Sequence, residues 1–164
     1  MKIKLEKIKK SEKEILENLF QLYLHDITKY LHMEVNSKGL FEYEYIDYYW
    51  INPRYEPYFI KVDNNLAGFV LIDDEFMVLK DDNTSYDLSE IFILNYYQRK
   101  GIGKKVAKEI FDTHRGKWEV RPVPKNNNAL NFWLNVISEY TNNNYVITDI
   151  KEDNRQVITF NNIK

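Results

Sequence analysis

The residues of this chain whose types and spacing suit chemistry stand between Gln98 and Lys104. The run Gln98-Arg99-Lys100-Gly101-Ile102-Gly103-Lys104 follows an apolar stretch and opens a segment with helical spacing. Gly101 and Gly103 remove side chains where a helix start presents N–H groups that lack carbonyl partners. The helix dipole favours negative charge at that end. Arg99, Lys100, Lys104, Lys105 and Lys108 gather positive charge around it. The chemistry implied is anion binding, a backbone cradle for a phosphate or pyrophosphate. Spacing excludes two common versions. A nucleotide P-loop needs four residues between its glycines and then Gly-Lys-Ser/Thr, which is absent. A dinucleotide loop needs a third glycine three residues past Gly103, where this chain has Val106.

The elements that must hold this cradle can be read on either side of it. Ser89 to Leu94 is β-branched, aromatic and apolar, which predicts a central strand. Ile102, Val106, Ala107, Ile110 and Phe111 recur on one helical face, with Lys104, Lys105 and Lys108 away from it. His114-Arg115-Gly116 reads as a helix stop, with Gly116 available for a left-handed cap. Lys117 to Pro122 reads as a further strand. Pro124 to Ala129 then opens a helix to about Tyr140, striped by Leu130, Phe132, Trp133, Val136 and Ile137. Tyr145–Ile150 and Gln156–Phe160 read as two terminal strands.

Upstream, Ile3 and Leu5 alternate with charged residues, which predicts a half-buried strand. Ser11 and Glu14 have capping-box spacing. They open a helix to about His32 whose stripe is Ile15, Leu16, Leu19, Leu22, Tyr23, Ile27, Tyr30 and Leu31. His25 and His32 are seven residues apart, not the i, i+4 of paired metal ligands, so no metal is expected. Phe41 to Phe59 crowds aromatics among acidic residues, and Pro53 and Pro57 bar a continuous helix there. Two readings of it stand: tyrosines covering the core, or one wall of a pocket for a cationic amine. Tyr58 to Ile72 is a hairpin around Asp63-Asn64-Asn65. Lys80-Asp81-Asp82-Asn83 is a polar loop signal.

A chain of 164 residues with no cysteine is one domain, 1–164, without thiol catalysis, disulfides or thiolate metal sites. A net charge of −2 argues against a nucleic-acid partner. No signal peptide or membrane-spanning run is read, so a cytoplasmic protein is the expectation. Its association state is expected to be monomer or homodimer.

The Gln-x-x-Gly-x-Gly run after a hydrophobic strand resembles the acyl-CoA-binding signature of the GNAT superfamily of N-acetyltransferases. The order strand, helix, loop or helix, hairpin, strand, helix, strand, helix, strand pair extends that resemblance over nearly the whole chain. Its implied fold is α/β (α+β), with a mixed, mostly antiparallel sheet. Strands four (about Tyr86–Leu94) and five (about Lys117–Pro122) would lie parallel and splay into a V. The family's later motif, Asn-x-x-Ala-x-x-x-Tyr, is met by Asn126 and Ala129 but carries Trp133 in place of the tyrosine. An indole N–H cannot serve as an acid at neutral pH.

By this resemblance acetyl-CoA is the co-substrate, held by Phe92, Ile93, Gln98, Arg99, Lys100, Gly101, Ile102, Gly103, Lys104, Asn126 and Trp133. The acceptor implied is a primary amine of a small molecule or peptide. An alkylamine with a pKa of about 10 arrives protonated, so a base must free its lone pair. Glu90, a carboxylate interrupting the apolar strand, is the first candidate and Asp87 the second. Tyr140 is the candidate acid. A strand-four N–H near Ile93 would stabilise charge developing on the thioester oxygen. The chain read instead as a non-catalytic acyl-CoA-binding module would bind without turnover, and read as an interaction protein would bind no CoA.

Overall fold

A computed structural model describes residues 1–80 and 82–163, so Asp81 of the polar loop signal lies outside the described residues. One sheet runs β1 (Ile3–Lys7), β2 (Glu56–Val62), β3 (Asn65–Asp73), β4 (Ser85–Ile93), β5 (Lys117–Val120), β7 (Arg155–Asn161), β6 (Val146–Ile150). Every neighbouring pair is antiparallel except β4 and β5. The helix α1 (Lys13–Ile27) covers one face, while α2 (Ile102–Thr113) and α3 (Asn127–Thr141) cover the other. This is the element order read from the sequence and the mixed sheet that the family resemblance implies.

Two buried clusters record the two faces. Leu16, Leu19, Phe20 and Leu24 of α1 meet Phe59, Phe69, Leu71 and Phe92. On the other side Ile102, Val106, Ala107, Ile110 and Phe111 meet Trp118, Val120, Trp133 and Ile137. The stripe expected for α2 is thus the buried one. That of α1 is rotated from the expected one: Ile15 and Leu22 face solvent, and Phe20 and Leu24 are buried instead. Both sets fit a helical period, and only the position of the sheet chooses between them. The helix also stops at Ile27 rather than His32.

The β2–β3 hairpin turns on Asp63 (φ 49°) and Asn64 (φ 68°), residue types that tolerate the left-handed region. The capping interaction at the first helix lies two residues earlier than expected. A 3₁₀ turn at Lys10–Glu12 precedes α1, and the Glu12 carboxylate accepts from the Lys9 N–H at 2.9 Å. Gly116 is not a left-handed cap. His114 ends α2 in an extended conformation, and a Cβ on Gly116 would lie 2.0 Å from the Thr84 carbonyl oxygen. That glycine is required because β4 and β5 approach closely at their start.

Two irregularities in β4 make the site. It pairs with β5 from Ser85↔Lys117 to Leu88↔Val120, where β5 ends. From Ser89 to Ile93, β4 has no strand on that side among the described residues, so the sheet opens into a V. At the same point the β3 register steps from Leu71↔Glu90 to Ile72↔Leu88, leaving Ser89 as a bulge. Strict alternation would put Asp87 and Glu90 on opposite faces; the extra residue brings both to the α1 face.

Candidate active site

The candidate anion cradle has a backbone origin. Arg99 (φ 58°) and Gly101 (φ 74°) turn the chain into α2, with Gly101 as its N-cap. The first N–H groups of the helix, those of Ile102, Gly103 and Lys104, have no carbonyl of the helix to bond. A Cβ on Gly101 would meet nothing within 4 Å, so its absence leaves open space there. A Cβ on Gly103 would press to 3.1 Å from the Phe132 ring. A groove of about 880 Å³ runs past these residues, with Gln98, Arg99 and Lys104 on one side and Asn126, Ala129 and Phe132 on the other. Its glycines, free donors and positive dipole end fit a pyrophosphate.

Several expected contact residues have other duties as well. The Gln98 side-chain amide donates to Ile93 O at 2.8 Å and Asn95 Oδ1 at 3.1 Å, which fixes the loop between β4 and α2. Lys100 lies over the Tyr96 ring, 4.0 Å from its centroid, and Lys104 pairs with Glu139. Asn126 caps α3 by accepting from the Ala129 N–H at 3.0 Å. Phe92 borders the V, but its ring packs on the α1 face against Phe69 and Tyr23, and Ile91 and Ile93 point to the opposite side. Trp133 is buried in the wall of the V.

The V itself is a cleft of about 230 Å³ that shares Ile93, Gln98 and Asn126 with the groove. Glu90 lines it, and the Tyr23 hydroxyl donates to Glu90 Oε2. Burial raises the Glu90 carboxyl to about 7; the Tyr23 hydrogen bond works against that shift, and the nearby Asp73 charge adds to it. The Tyr23 phenol is itself pushed well above its ordinary range by burial and by the Glu90 charge, so it stays protonated and donating. A carboxylate balanced near neutrality is suited to accept a proton there.

Asp87 has a different fate. It is fully buried, paired to Arg121, and lines neither the cleft nor the groove. Burial pushes its carboxyl up against the opposing pull of Arg121. Glu119, also fully buried, accepts from the N–H groups of Met77, Val78 and Leu79 at 2.7, 3.0 and 2.9 Å and so anchors the loop after β3. Tyr140 is not brought to Glu90. Its hydroxyl donates to Asp112 Oδ1 at 3.0 Å, in a separate cavity of about 420 Å³ between α2 and α3.

Beyond Ser89 and Arg121 the cleft adjoins a further cavity, of about 580 Å³, lined by tyrosines of the segment 43–55 with Asp73 and Glu75. Tyr49, Tyr55 and Phe59 are core, whereas Tyr45 and Tyr48 are exposed on a 3₁₀ turn, Ile46–Trp50, and its approach. Tyr23, Asp73, Ser89 and Arg121 escaped the sequence reading of the site. Tyr23 carried only the signal of a core stripe, and a bulge leaves no mark in an alternation pattern. Among the described residues no group of three His, Cys, Asp or Glu could hold a metal, and no helix is long and apolar enough to cross a membrane.

The acetyltransferase (GNAT) family model matches residues 16–135. No curated protein matches by sequence. Solved structures do match by fold. An acetyltransferase from Thermus thermophilus has TM-score 0.71 at 12% identity, covering 99% of this chain and 98% of that one. The PaiA N-acetyltransferase of Thermoplasma acidophilum, in complex with coenzyme A, has TM-score 0.61 at 15% identity, covering 99% and 100%. A spermidine N-acetyltransferase (SpeG) mutant from Vibrio cholerae has TM-score 0.59 at 14% identity, covering 96% and 94%. The family match spans the α1 face, the V, the cradle and most of α3, so the chain belongs to the GNAT family of acetyltransferases, enzymes that use acetyl-CoA.

Proposed function

We propose that the protein moves the acetyl group of acetyl-CoA directly to a primary amine, with Glu90 as the base. The observation that carries this reading is the position of Glu90. It lies in the cleft that adjoins the anion groove on one side and an aromatic, acidic cavity on the other. When bound, acetyl-CoA supplies an activated acyl thioester. The N–H groups of Ile102, Gly103 and Lys104 hold its pyrophosphate, with Arg99 and Lys100 beside them. The β4 edge from Ser89 to Ile93 offers backbone hydrogen bonds to the pantetheine arm, and Trp133 packs along it.

Glu90 takes one proton from the incoming ammonium, directly or through a water, and so exposes the nitrogen lone pair. The nitrogen attacks the thioester carbonyl, the C–N bond forms and the C–S bond breaks, and CoA leaves as a thiolate, an ordinary leaving group with a pKa of about 8.5, which takes up the second proton that the nitrogen sheds. Tyr23 holds the carboxylate in the cleft by donating to Oε2. Tyr140, held by Asp112 outside the cleft, has no part in this proposal. The test is release of free thiol from acetyl-CoA across a panel of amines by the parent protein and by Glu90→Gln. Turnover that depends on both amine and Glu90 supports the reading. Binding of acetyl-CoA without turnover of any amine would replace it with the acyl-CoA-binding module.

A further inference from the structure

The cavity beyond Ser89 and Arg121 has more negative charge and more aromatic surface than one amine needs. Tyr43, Tyr45, Tyr48, Tyr49 and Tyr55 surround it. Tyr45 and Tyr48 stack at 6.0 Å between centroids, and Tyr49 lies 5.1 Å from Tyr55. Ring faces at such spacing attract a desolvated cation, and phenol oxygens can accept from its N–H groups. Asp73 is buried in the wall, taking the Tyr49 hydroxyl at 3.1 Å on one oxygen and the Glu75 N–H at 3.0 Å on the other. Glu75 stands exposed at the rim and accepts from the Tyr55 hydroxyl at 2.7 Å. The cation in the wall, Arg121, is already engaged by Asp87 and flanked by Glu119. Arg121, which also feels the Asp73 charge, is the one cation that the described lining sets against the two carboxylates Asp73 and Glu75.

These carboxylates are separate from Glu90. Asp73 pairs with Asp87, and Leu71, two residues before it, pairs with Glu90. Two residues along a strand and one strand across put the Asp73 and Glu90 backbones about 8 Å apart on the same face. We infer that the acceptor is a dicationic alkylamine, whose second ammonium enters the tyrosine cavity beside Asp73 and Glu75 while its reacting nitrogen lies at Glu90. This rests on the amine-transfer reading above and adds to it the substrate class. A spacer of roughly four to six methylenes spans that separation at ordinary bond lengths.

Calorimetry with 1,5-diaminopentane, pentylamine and 5-amino-1-pentanol tests the cavity without requiring turnover. The diamine is expected to bind about tenfold tighter than either monocation, the size of a desolvated cation–π and carboxylate contact. Glu75→Gln and Tyr48→Ala, both at exposed positions, should each narrow that ratio. Equal binding of the three amines overturns the inference. Thiol release from acetyl-CoA then separates it from the reading beneath. Preferential diamine binding with no acetylation of any amine leaves the cation cavity standing and removes the transfer reading. Acetylation of all three amines with equal kcat/KM keeps the transfer reading and removes the dication.

Discussion

Replacing Glu90 by Gln should slow the enzyme and stabilise the protein at the same time. A carboxyl at about 7 in the fold, against an ordinary 4.5, is destabilised in its charged form by burial. Its contribution to stability is fully present below 4.5 and is lost as pH rises through about 7. The cost at pH 8 is about 3 kcal/mol, at 1.36 kcal/mol per pH unit, and at pH 5 it is about 1 kcal/mol. The amide of Glu90→Gln carries no charge and still offers a carbonyl oxygen to the Tyr23 hydroxyl, so the variant avoids this cost. For a domain of this size, 1 kcal/mol moves Tm by about 2–4 °C. The variant should therefore melt roughly 6–12 °C higher at pH 8 and only a few degrees higher at pH 5. The base contributes on the order of 10²–10⁴-fold, so turnover should fall on that scale. The parent's kcat/KM should rise with pH through about 7, as Glu90 ionises, and the variant should lack that limb. Differential scanning calorimetry at the two pH values and a thiol-release assay from pH 6 to 9 read both effects. A variant that melts lower than the parent at pH 8, or turns over within threefold of it, refutes the account of Glu90.

Gly103→Asp should raise the dissociation constant for acetyl-CoA at least tenfold by setting a carboxylate at the pyrophosphate, since like charges in a site cost several kcal/mol. The half-buried Phe132 ring has only to yield slightly, so circular dichroism should show the fold retained while calorimetry shows the loss. Acetyl-CoA at 100 times its dissociation constant should stabilise the parent by about 2.7 kcal/mol; adenosine, which lacks the phosphates, should do far less, and equal Tm shifts would remove the cradle from the account. Glu119→Ala strips the acceptor from three backbone N–H groups of the loop after β3 and should cost on the order of 3 kcal/mol in urea unfolding. At the start of β2, His114 holds Glu56 down at about 2, and Glu56 in turn holds the His114 ring up. The stability from His114 should fade as pH rises through its raised value and that from Glu56 as pH falls toward 2, both losses vanishing in Glu56→Gln.

The local elements were legible because each obeys a short-range rule. The α2 stripe, the Asp63-Asn64 turn and the glycine-opened start of α2 depend on residues within a turn or two of one another. Their expected places are those observed, to within a residue or two at the ends. The mixed sheet was anticipated through the family resemblance, which the glycine motif and the element order carried together. The surroundings of Glu90 were not local. The bulge at Ser89 puts it on the α1 face with Asp87, and the ending of β5 at Val120 opens the cleft it lines. Its shift toward neutrality comes from burial beneath Tyr23, 67 positions away, and from the charge of Asp73 on another strand. The same holds for Asp87, the second candidate base in the sequence, which Arg121 pairs within the core, and for Glu119, which the loop at 77–79 closes over. Periodicity records which residues can share a face. Which face meets which neighbour, and hence which carboxylate is free to take a proton, is decided only when distant strands are brought together.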